Sequence, residues 1–346
     1  MSKLVSIILV TYNSSEYIEK CLNSIKQSSY KQIEIIVFDN ASTDNTVSII
    51  KKLAHLSTKV IENKKNIGYA DANNQAVKIA KGEFVFILNP DTVVTPHFLE
   101  PLVKKMTDSE NTAVCQPLVY LFDKKTVNLT GKETHYLGFD WIKDFETKRK
   151  LETEQIYSFS GSGVLIRKRI FEMLGGYDEQ YFMYYEDSDL SLRMHLFNYD
   201  IFFVPASIIY HDYKFLPKES YQSLHRKLFY IERNRVITLL KNYSSKTLAL
   251  IFPIFLFMEF GLLFLALIQG WIVPKINSYK SIITLFPQIM KKRVEIQRGR
   301  KVSDTAIAQT LQSSITFSFG KFSNPVLLKI LNQILSVYFK GIRHFI

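Results

Sequence analysis

Short, mainly apolar runs alternate along this chain with stretches in which apolar residues recur every three or four positions. Residues 4–10 (LVSIILV), 33–38 (IEIIVF), 59–62 and 84–88 (FVFIL) have strand length and are rich in Ile, Val and Phe. Continuous apolar runs of this kind suit strands covered on both faces, as in a parallel sheet under helices. Between them, residues 16–27 set Tyr17, Ile18, Cys21, Leu22 and Ile25 at helical spacing, with Ser14 or Ser15 as the expected N-cap. Residues 42–53 and 68–81 also read as helices. The order β-α-β-α-β-α-β predicts an α/β, Rossmann-like fold, with a mainly parallel sheet and helices on both faces.

The polar residues that end these runs carry the chemistry. The run at 84–88 stops at Asn89-Pro90-Asp91, because proline cannot continue a central strand and holds the residue before it extended. Thr11, Tyr12 and Asn13 follow the first run, and Asp39 ends the second. In a right-handed parallel sheet these ends share the edge where open α/β sheets bind ligands. Asn40 and residues Asn66–Tyr69, Gly68 among them, lie in the same set of loops. An Asp after a strand is often only a turn or helix cap; the combination at one edge is more specific than any member. The edge suits a nucleotide, with carboxylate and amides for base and ribose and Asp91 for a metal on phosphates. Neither a Walker A sequence nor Gly-x-Gly-x-x-Gly is present.

Further on, residues 113–122 read as a strand and residues 123–154 as a charged, aromatic, loop-rich insertion facing an acceptor. Gly161, Ser162 and Gly163 make a flexible turn before apolar 164–166. A short helix over 167–174 is stopped by Gly175-Gly176. Glu186-Asp187-Ser188-Asp189 opens a helix over 190–197, where acidic residues are favoured by the helix dipole. Asp189 and Arg193 are spaced to pair along it, a structural role. Glu186 and Asp187 cannot both face the same way, so one of them is free to enter the crevice as a base. His211 follows strands at 201–204 and 208–210, near enough to the edge to serve as a metal ligand or phosphate contact.

Composition adds a second region. The 346 residues are 47% hydrophobic and 14% aromatic, enough for a large domain and an appendage. Cys21 and Cys115 are far apart and read as inert core thiols of a reducing compartment. No signal peptide is recognised, so the catalytic part is expected in the cytosol. Of the net charge of +12, +10 falls from Pro274 onward. Residues 248–273 are long enough to span a bilayer and hold one charge, Glu259. A basic tail and a cytosolic body both prefer the same side, which a re-entrant or in-plane arrangement reconciles. Leu327, Leu331, Ile334, Tyr338 and Phe345 predict an interfacial amphipathic helix over 325–346, and the basic clusters at 291–293 and 298–301 suit anionic lipid better than nucleic acid.

The stretches VSIILVTYNSSEYIEKCLNSI, IIVFDNASTDNT, NIGYADANN, GEFVFILNPDTVV, SGSGVLIRKRIFEMLGGYDEQYFMYYEDSDLSLR and IERNRVITLLKN, in this order, resemble the inverting glycosyltransferases of family 2, nearest a rhamnosyltransferase-like subgroup. The resemblance covers about residues 4–240 and implies a GT-A domain over 1–240, followed by a membrane-associated helical region over 241–346. It implies that Thr11, Tyr12, Asn13 and Asp39 hold the nucleoside, and that Asn66, Gly68 and Asn74 line the ribose and sugar side. Asn89 stands for the first Asp of the commoner Asp-x-Asp motif, leaving Asp91, assisted by His211, to hold Mg2+ or Mn2+ on the diphosphate. Asp187 is implied as the catalytic base, with Glu186 second, and Gly161, Ser162 and Gly163 sit on the acceptor side. Asp71 and Ala76 replace glycines of relatives; Asp71 reads as a helix cap. The implied reaction moves a sugar, rhamnose among the candidates, from a dTDP- or UDP-linked donor to a lipid-linked glycan at the cytoplasmic face of a membrane with anionic lipid. The oligomeric state stays open. The competing class is a catalytically silent glycan- or nucleotide-binding scaffold on the same fold.

Overall fold

The computed structural model describes residues 3–54, 58–212, 221–316 and 325–346. In chain order the first elements are β1 (Val5–Thr11), α1 (Ile18–Lys26), β2 (Ile33–Asp39), α2 (Thr46–Leu53), β3 (Thr58–Glu62), α3 (Tyr69–Lys78) and β4 (Phe84–Leu88). Then come β5 (Thr92–Val94), α4 (Leu99–Asp108), β6 (Thr112–Leu121), β7 (Val127–Leu129), β8 (Lys132–Thr134), β9 (Asp140–Ile142), β10 (Glu154–Gln155) and β11 (Gly163–Arg167). The remainder is mostly helical: α5 (Lys168–Met173), α6 (Glu186–Leu196), β12 (Asp200–His211), α7 (Tyr221–Asn242), α8 (Ser245–Ile268), α9 (Ile272–Gly299), α10 (Asp304–Ala308) and α11 (Pro325–Ile342).

Two compact units form. The first takes the described residues of Met1–Lys132, Ile142–Met194 and Tyr199–Phe215; the second takes Glu133–Trp141, His195–Asn198 and those of Leu216–Ile346. The boundary expected at 240 falls within α7, which packs whole in the second unit.

The first unit is built on a sheet of order β10-β12-β6-β11-β4-β1-β2-β3. β3, β2, β1 and β4 are parallel, as the alternating pattern requires, while β11 enters antiparallel between β4 and β6. β1 shows why both faces are covered. Its Ile8 and Val10 pack with α3 and α6 residues such as Ala72, Ala76, Leu190 and Met194. Its Ile7 and Leu9 pack on the other side with Ile18, Leu22 and Ile25 of α1 and Leu102 of α4. Strand period two therefore feeds two cores. The two runs expected near 201–210 are one strand, β12, with an irregular register between Val204 and Ile208.

Some helix starts differ from expectation. α1 begins without a side-chain cap: the Ser14 carbonyl accepts from the Tyr17 and Ile18 amides at 3.0 Å, so the backbone does the work assigned to a serine hydroxyl. α2 starts at Thr46, later than 42, because Ser42 and Thr43 are drawn into bonds with Asp39 and Asn13. Asp71 is not the cap of α3; it sits in the first turn and accepts weakly from Gln75.

In the second unit the apolar stretch at 248–273 is not one helix. α8 ends at Ile268, Gly270 turns the chain at a φ of 80°, and α9 starts at Ile272. α11 packs through Leu335 and Phe339, with Phe339 stacked on Tyr136 at 4.4 Å, while Leu327, Ile334 and Phe345 stay exposed.

Candidate active site

The carboxyl edge of the parallel strands gathers three groups of side chains in the first unit. At the first, Thr11 lies beside Asp39 in register, and its hydroxyl donates to Asp39 Oδ1 at 2.9 Å. The Ser42 amide donates to Asp39 Oδ2 at 2.9 Å and its hydroxyl to Oδ1 at 2.5 Å. Asp39 is buried and fastens the loop after β2. Asn13, at a φ of 51°, accepts from the Thr43 amide at 2.8 Å, leaving Tyr12 exposed beside it as an aromatic platform.

The second group is a web of amides. Asn40 donates to Asn66 Oδ1 at 2.9 Å and to the Gly68 carbonyl at 3.1 Å, and its own Oδ1 accepts from the Ile67 amide at 2.9 Å. Gly68 has a φ of 89°, and a Cβ there would stand 2.6 Å from the Phe182 carbonyl oxygen. That carbonyl caps α3 by accepting from the Tyr69 amide at 2.6 Å and the Ala70 amide at 3.2 Å. Asn74 is placed differently from its expected role. Its Nδ2 donates to the Tyr177 carbonyl at 2.7 Å and its Oδ1 accepts from the Tyr177 amide at 2.9 Å, so it braces a loop.

The third group surrounds the end of β4. The Asn89 Oδ1 accepts from the Tyr69 hydroxyl at 3.1 Å, and the same hydroxyl lies 3.0 Å from the Gly161 carbonyl. Asn89 is thereby tied into the site's wall, and Asp91 is the carboxylate left at the edge. β5 pairs Thr92 with His211 at the end of β12 and brings Asp91 Oδ1 to 3.4 Å from His211 Nε2. His211 Nδ1 faces Asn128 Oδ1 at 3.1 Å, so Nδ1 donates there and Nε2 is turned toward Asp91. Asp91 Oδ1 is buried with no hydrogen-bond donor. A small open cleft lies beside it, lined by Lys20, Phe122 and Asp212 among others.

These residues fit a divalent cation. An orphaned carboxylate oxygen opposite an imidazole nitrogen is a half-site that a hard cation would satisfy, with phosphate oxygens and water filling its other positions. Among the described residues no three His, Cys, Asp or Glu side chains converge, so the protein alone does not complete a coordination shell.

The acidic pair at the start of α6 joins the same frame through Gly161. Asp187 Oδ1 accepts from Lys132 Nζ at 2.7 Å and from the Ser188 amide at 2.8 Å; its Oδ2 accepts from the Gly161 amide at 3.1 Å. Glu186 Oε2 is buried without a donor. Burial first, and the neighbouring Asp187 charge second, push the Glu186 carboxyl up to about 8. Of the pair, Asp187 alone is bonded to the Lys132 ammonium and the Gly161 amide, while Glu186 Oε2 takes no donor. The Asp189–Arg193 pair forms at 2.8 Å. Phe182, Tyr184 and Tyr185, just before the pair, all have positive φ, the kind of strained backbone that clusters at functional sites.

Gly161 and Ser162 lie between the last two groups: the Ser162 carbonyl accepts from the Asn89 amide at 3.2 Å. Gly163 is the first residue of β11, and Ile209 occupies the place a Cβ would need. Lys132 and Asn128 are residues sequence reasoning missed, and Tyr69 is placed at this edge from sequence without a role of its own. Tyr69 stands inside the motif NIGYADANN and offered a signal; Lys132 and Asn128 lie in the insertion, 55 and 83 positions from their partners.

Residues 6–175 match the family model for glycosyl transferase family 2. The chain carries a glycosyl transferase family 2 domain. The stretches VSIILVTYN, IIVFDNASTDNT, NIGYADANN and GEFVFILNPDTVV quoted above supply most of the three groups. Among curated relatives, N-acetylglucosaminyl-diphospho-decaprenol L-rhamnosyltransferase of Mycobacterium tuberculosis is 26% identical over 236 residues, covering 61% of this chain and 76% of that protein. Glycosyltransferase GlyG of Streptococcus pneumoniae is 30% identical over 116 residues, 33% of this chain and only 38% of the relative's length. Two solved structures share the fold. The mannosyltransferase PcManGT of Pyrobaculum calidifontis, in complex with GDP-Man and Mn2+, aligns with a TM-score of 0.52 at 16% identity over 99% of this chain and 87% of its own. GalNAc-T7 with UDP, GalNAc and Mn2+ aligns with a TM-score of 0.57 at 17% identity over 71% and 49%. The family 2 domain is thus a GT-A fold, a mixed α/β sheet between helices.

Proposed function

We propose that this glycosyltransferase moves a sugar from a dTDP- or UDP-linked donor to a lipid-linked glycan, with inversion at the anomeric carbon. The observation that carries the reading is the chain of contacts in which the Tyr69 hydroxyl joins Asn89, two residues before Asp91, to Gly161, whose amide in turn holds Asp187. On one side sits an orphaned carboxylate oxygen beside an imidazole. On the other, Asp187 is set by Lys132 and the Gly161 amide. The name of the mycobacterial relative supports rhamnose as the sugar and a polyprenyl diphosphate glycan as the acceptor.

Bound Mg2+ or Mn2+ would neutralise the departing diphosphate. Asp91 and His211 would hold that ion. Tyr12 would stack on the nucleoside base; Thr11, Asn13 and Asp39 would shape its loop; Asn66 and Gly68 would approach ribose and sugar. An acceptor hydroxyl has a pKa far above 7, so Asp187 takes its proton as the new C–O bond forms and the C–O bond to diphosphate breaks. Attack from the face opposite the diphosphate inverts the centre. Glu186, pushed up to about 8, is mostly protonated at neutral pH and is the poorer acceptor of the two. The Tyr69 hydroxyl, touching both Asn89 and Gly161, holds the donor side and the base side in one frame. The second unit would keep the domain at the cytoplasmic membrane face, where such acceptors lie.

A thermal-shift screen of nucleoside diphosphates and their sugars, with and without Mn2+, tests the donor side. One nucleotide class should stabilise the protein only with Mn2+, and Asp91→Ala should lose that shift while keeping the ligand-free melting temperature. Equal shifts without metal, or an unaffected Asp91→Ala, would remove Asp91 from the donor site.

A further inference from the structure

We infer that α8 does not cross a membrane but lies along one, its outer face sunk among the acyl chains beneath anionic headgroups. The inference rests on the membrane part of the proposed function and fixes its geometry. Among the described residues α8 is the one helix long and apolar enough to span a bilayer, so the alternatives are sharp.

The inner face of α8 argues against a span. Ile251, Ile254, Met258, Leu262 and Ala266 are buried within the second unit. Glu259, near the middle of the helix, also points inward. Its carboxylate takes Arg235 of α7 on one oxygen; on the other it takes Lys275 Nζ of α9, at 2.8 Å, and the Tyr279 hydroxyl. Glu232 of α7 closes the ring by accepting from Arg235 Nη2, at 3.2 Å, and from Lys275. Two cations and two carboxylates are almost fully buried together. This ring fastens α8 to α7 and α9 at mid-length. Were α8 to span, its midpoint would carry all four charges, and the helices bearing them, to the bilayer centre, where ionised side chains are expensive.

The outer face argues for lipid. From residue 252 to 268 every exposed residue of α8 is apolar. Phe252, Phe257, Phe260 and Phe264 are 49–70% exposed, and Leu267 is 65% exposed. At 1.5 Å per residue this face is about 25 Å long. It has no side-chain hydrogen-bonding group, whereas a protein partner would expect a polar rim and roughly one hydrogen bond per 100–200 Å². Acyl chains need no such partner. Charge complementarity selects the headgroups: Lys246, Lys280, Lys291 and Arg298 are exposed on the same unit, and the chain from Pro274 onward carries +10. α11, fastened to α8 by the Tyr338 hydroxyl on the Leu250 carbonyl at 2.8 Å, exposes apolar Ile330 and Val337 beside Lys329 and Lys340.

The test uses the full chain with one added cysteine, Lys246→Cys or Asn277→Cys, on either side of α8. Native Cys21 and Cys115 are buried, and burial pushes the Cys21 thiol up to about 12, so both are silent. In sealed, inverted inner-membrane vesicles from expressing cells, a membrane-impermeant maleimide should label both cysteines from the cytoplasmic side. Labelling of one and protection of the other would establish a span and overturn the inference, leaving membrane association intact. A chain that stays soluble and does not float with phosphatidylglycerol vesicles would overturn the membrane reading itself. A lipid-free dimer cross-linked through Phe260→Cys would assign the face to a second copy and also overturn the inference. The triple change Phe257→Ser, Phe260→Ser, Phe264→Ser should lower vesicle binding at least tenfold while leaving donor-induced thermal shifts unchanged; unchanged vesicle binding would contradict the α8 face.

Discussion

Glu186 has one carboxylate oxygen without a donor in a buried site, and that has a consequence for stability. Its pKa is about 8 in the folded protein, against 4.5 ordinarily. The folded state therefore binds the more protons between those values, and stability must fall as pH rises through that window. Glu186→Gln removes the dependence. Its melting temperature should gain on the parent progressively from pH 5 to pH 8, by several degrees at the upper end; parallel profiles would show that Glu186 is not held neutral by the fold. At the same scale Asn89 changes meaning. Read from sequence it is a missing metal ligand, yet its side-chain oxygen is engaged by Tyr69, so this position serves as a brace, and Asp91 Oδ1 is the carboxylate oxygen left without a donor. No sequence pattern announces this, because the brace is a tyrosine twenty positions away.

At the scale of elements, the β-strands were legible because a continuous apolar run of five to seven residues has few other uses in a chain this polar elsewhere. β1, β2 and β4 lie where expected, and their ends deliver Thr11, Asp39 and Asn89–Asp91 to one edge. Some helix starts were less legible, because backbone carbonyls took the place of the side-chain caps that sequence displays, from nearby at α1 and from a remote segment at α3. α3 is the clearest instance: its cap is the carbonyl of Phe182, held there by strained backbone. The junction requires a glycine, and Gly68→Ala tests it. An added Cβ at a φ of 89° and 2.6 Å from that carbonyl should cost about 1–3 kcal/mol and lower the melting temperature by a few degrees. An unchanged melting temperature would mean that the α3 junction relaxes freely. Lys132 remained hidden for a different reason: a lysine in a charged insertion has no periodicity, and only the fold brings it to Asp187.

At the scale of the molecule, two units have different chemistries. The first spends its polar residues on one sheet edge. The second buries a neutral ring of four charges and turns an apolar helix face outward. The stretch at 248–273 looked like a single span because hydropathy counts residues and ignores direction; Gly270 breaks it, and Glu259 faces a guanidinium and an ammonium inside the bundle. The central claim remains chemical: a glycosyl donor is turned over because Asp187 accepts the acceptor's proton. Single-turnover transfer by Asp187→Asn, measured with the donor identified by the thermal screen beside calorimetric donor binding, tests it most directly. The account predicts donor affinity within about twofold of the parent and a rate lower by 10²–10⁴, with the residual product still inverted. A parental rate in Asp187→Asn, or a product of retained configuration in the parent, would contradict it.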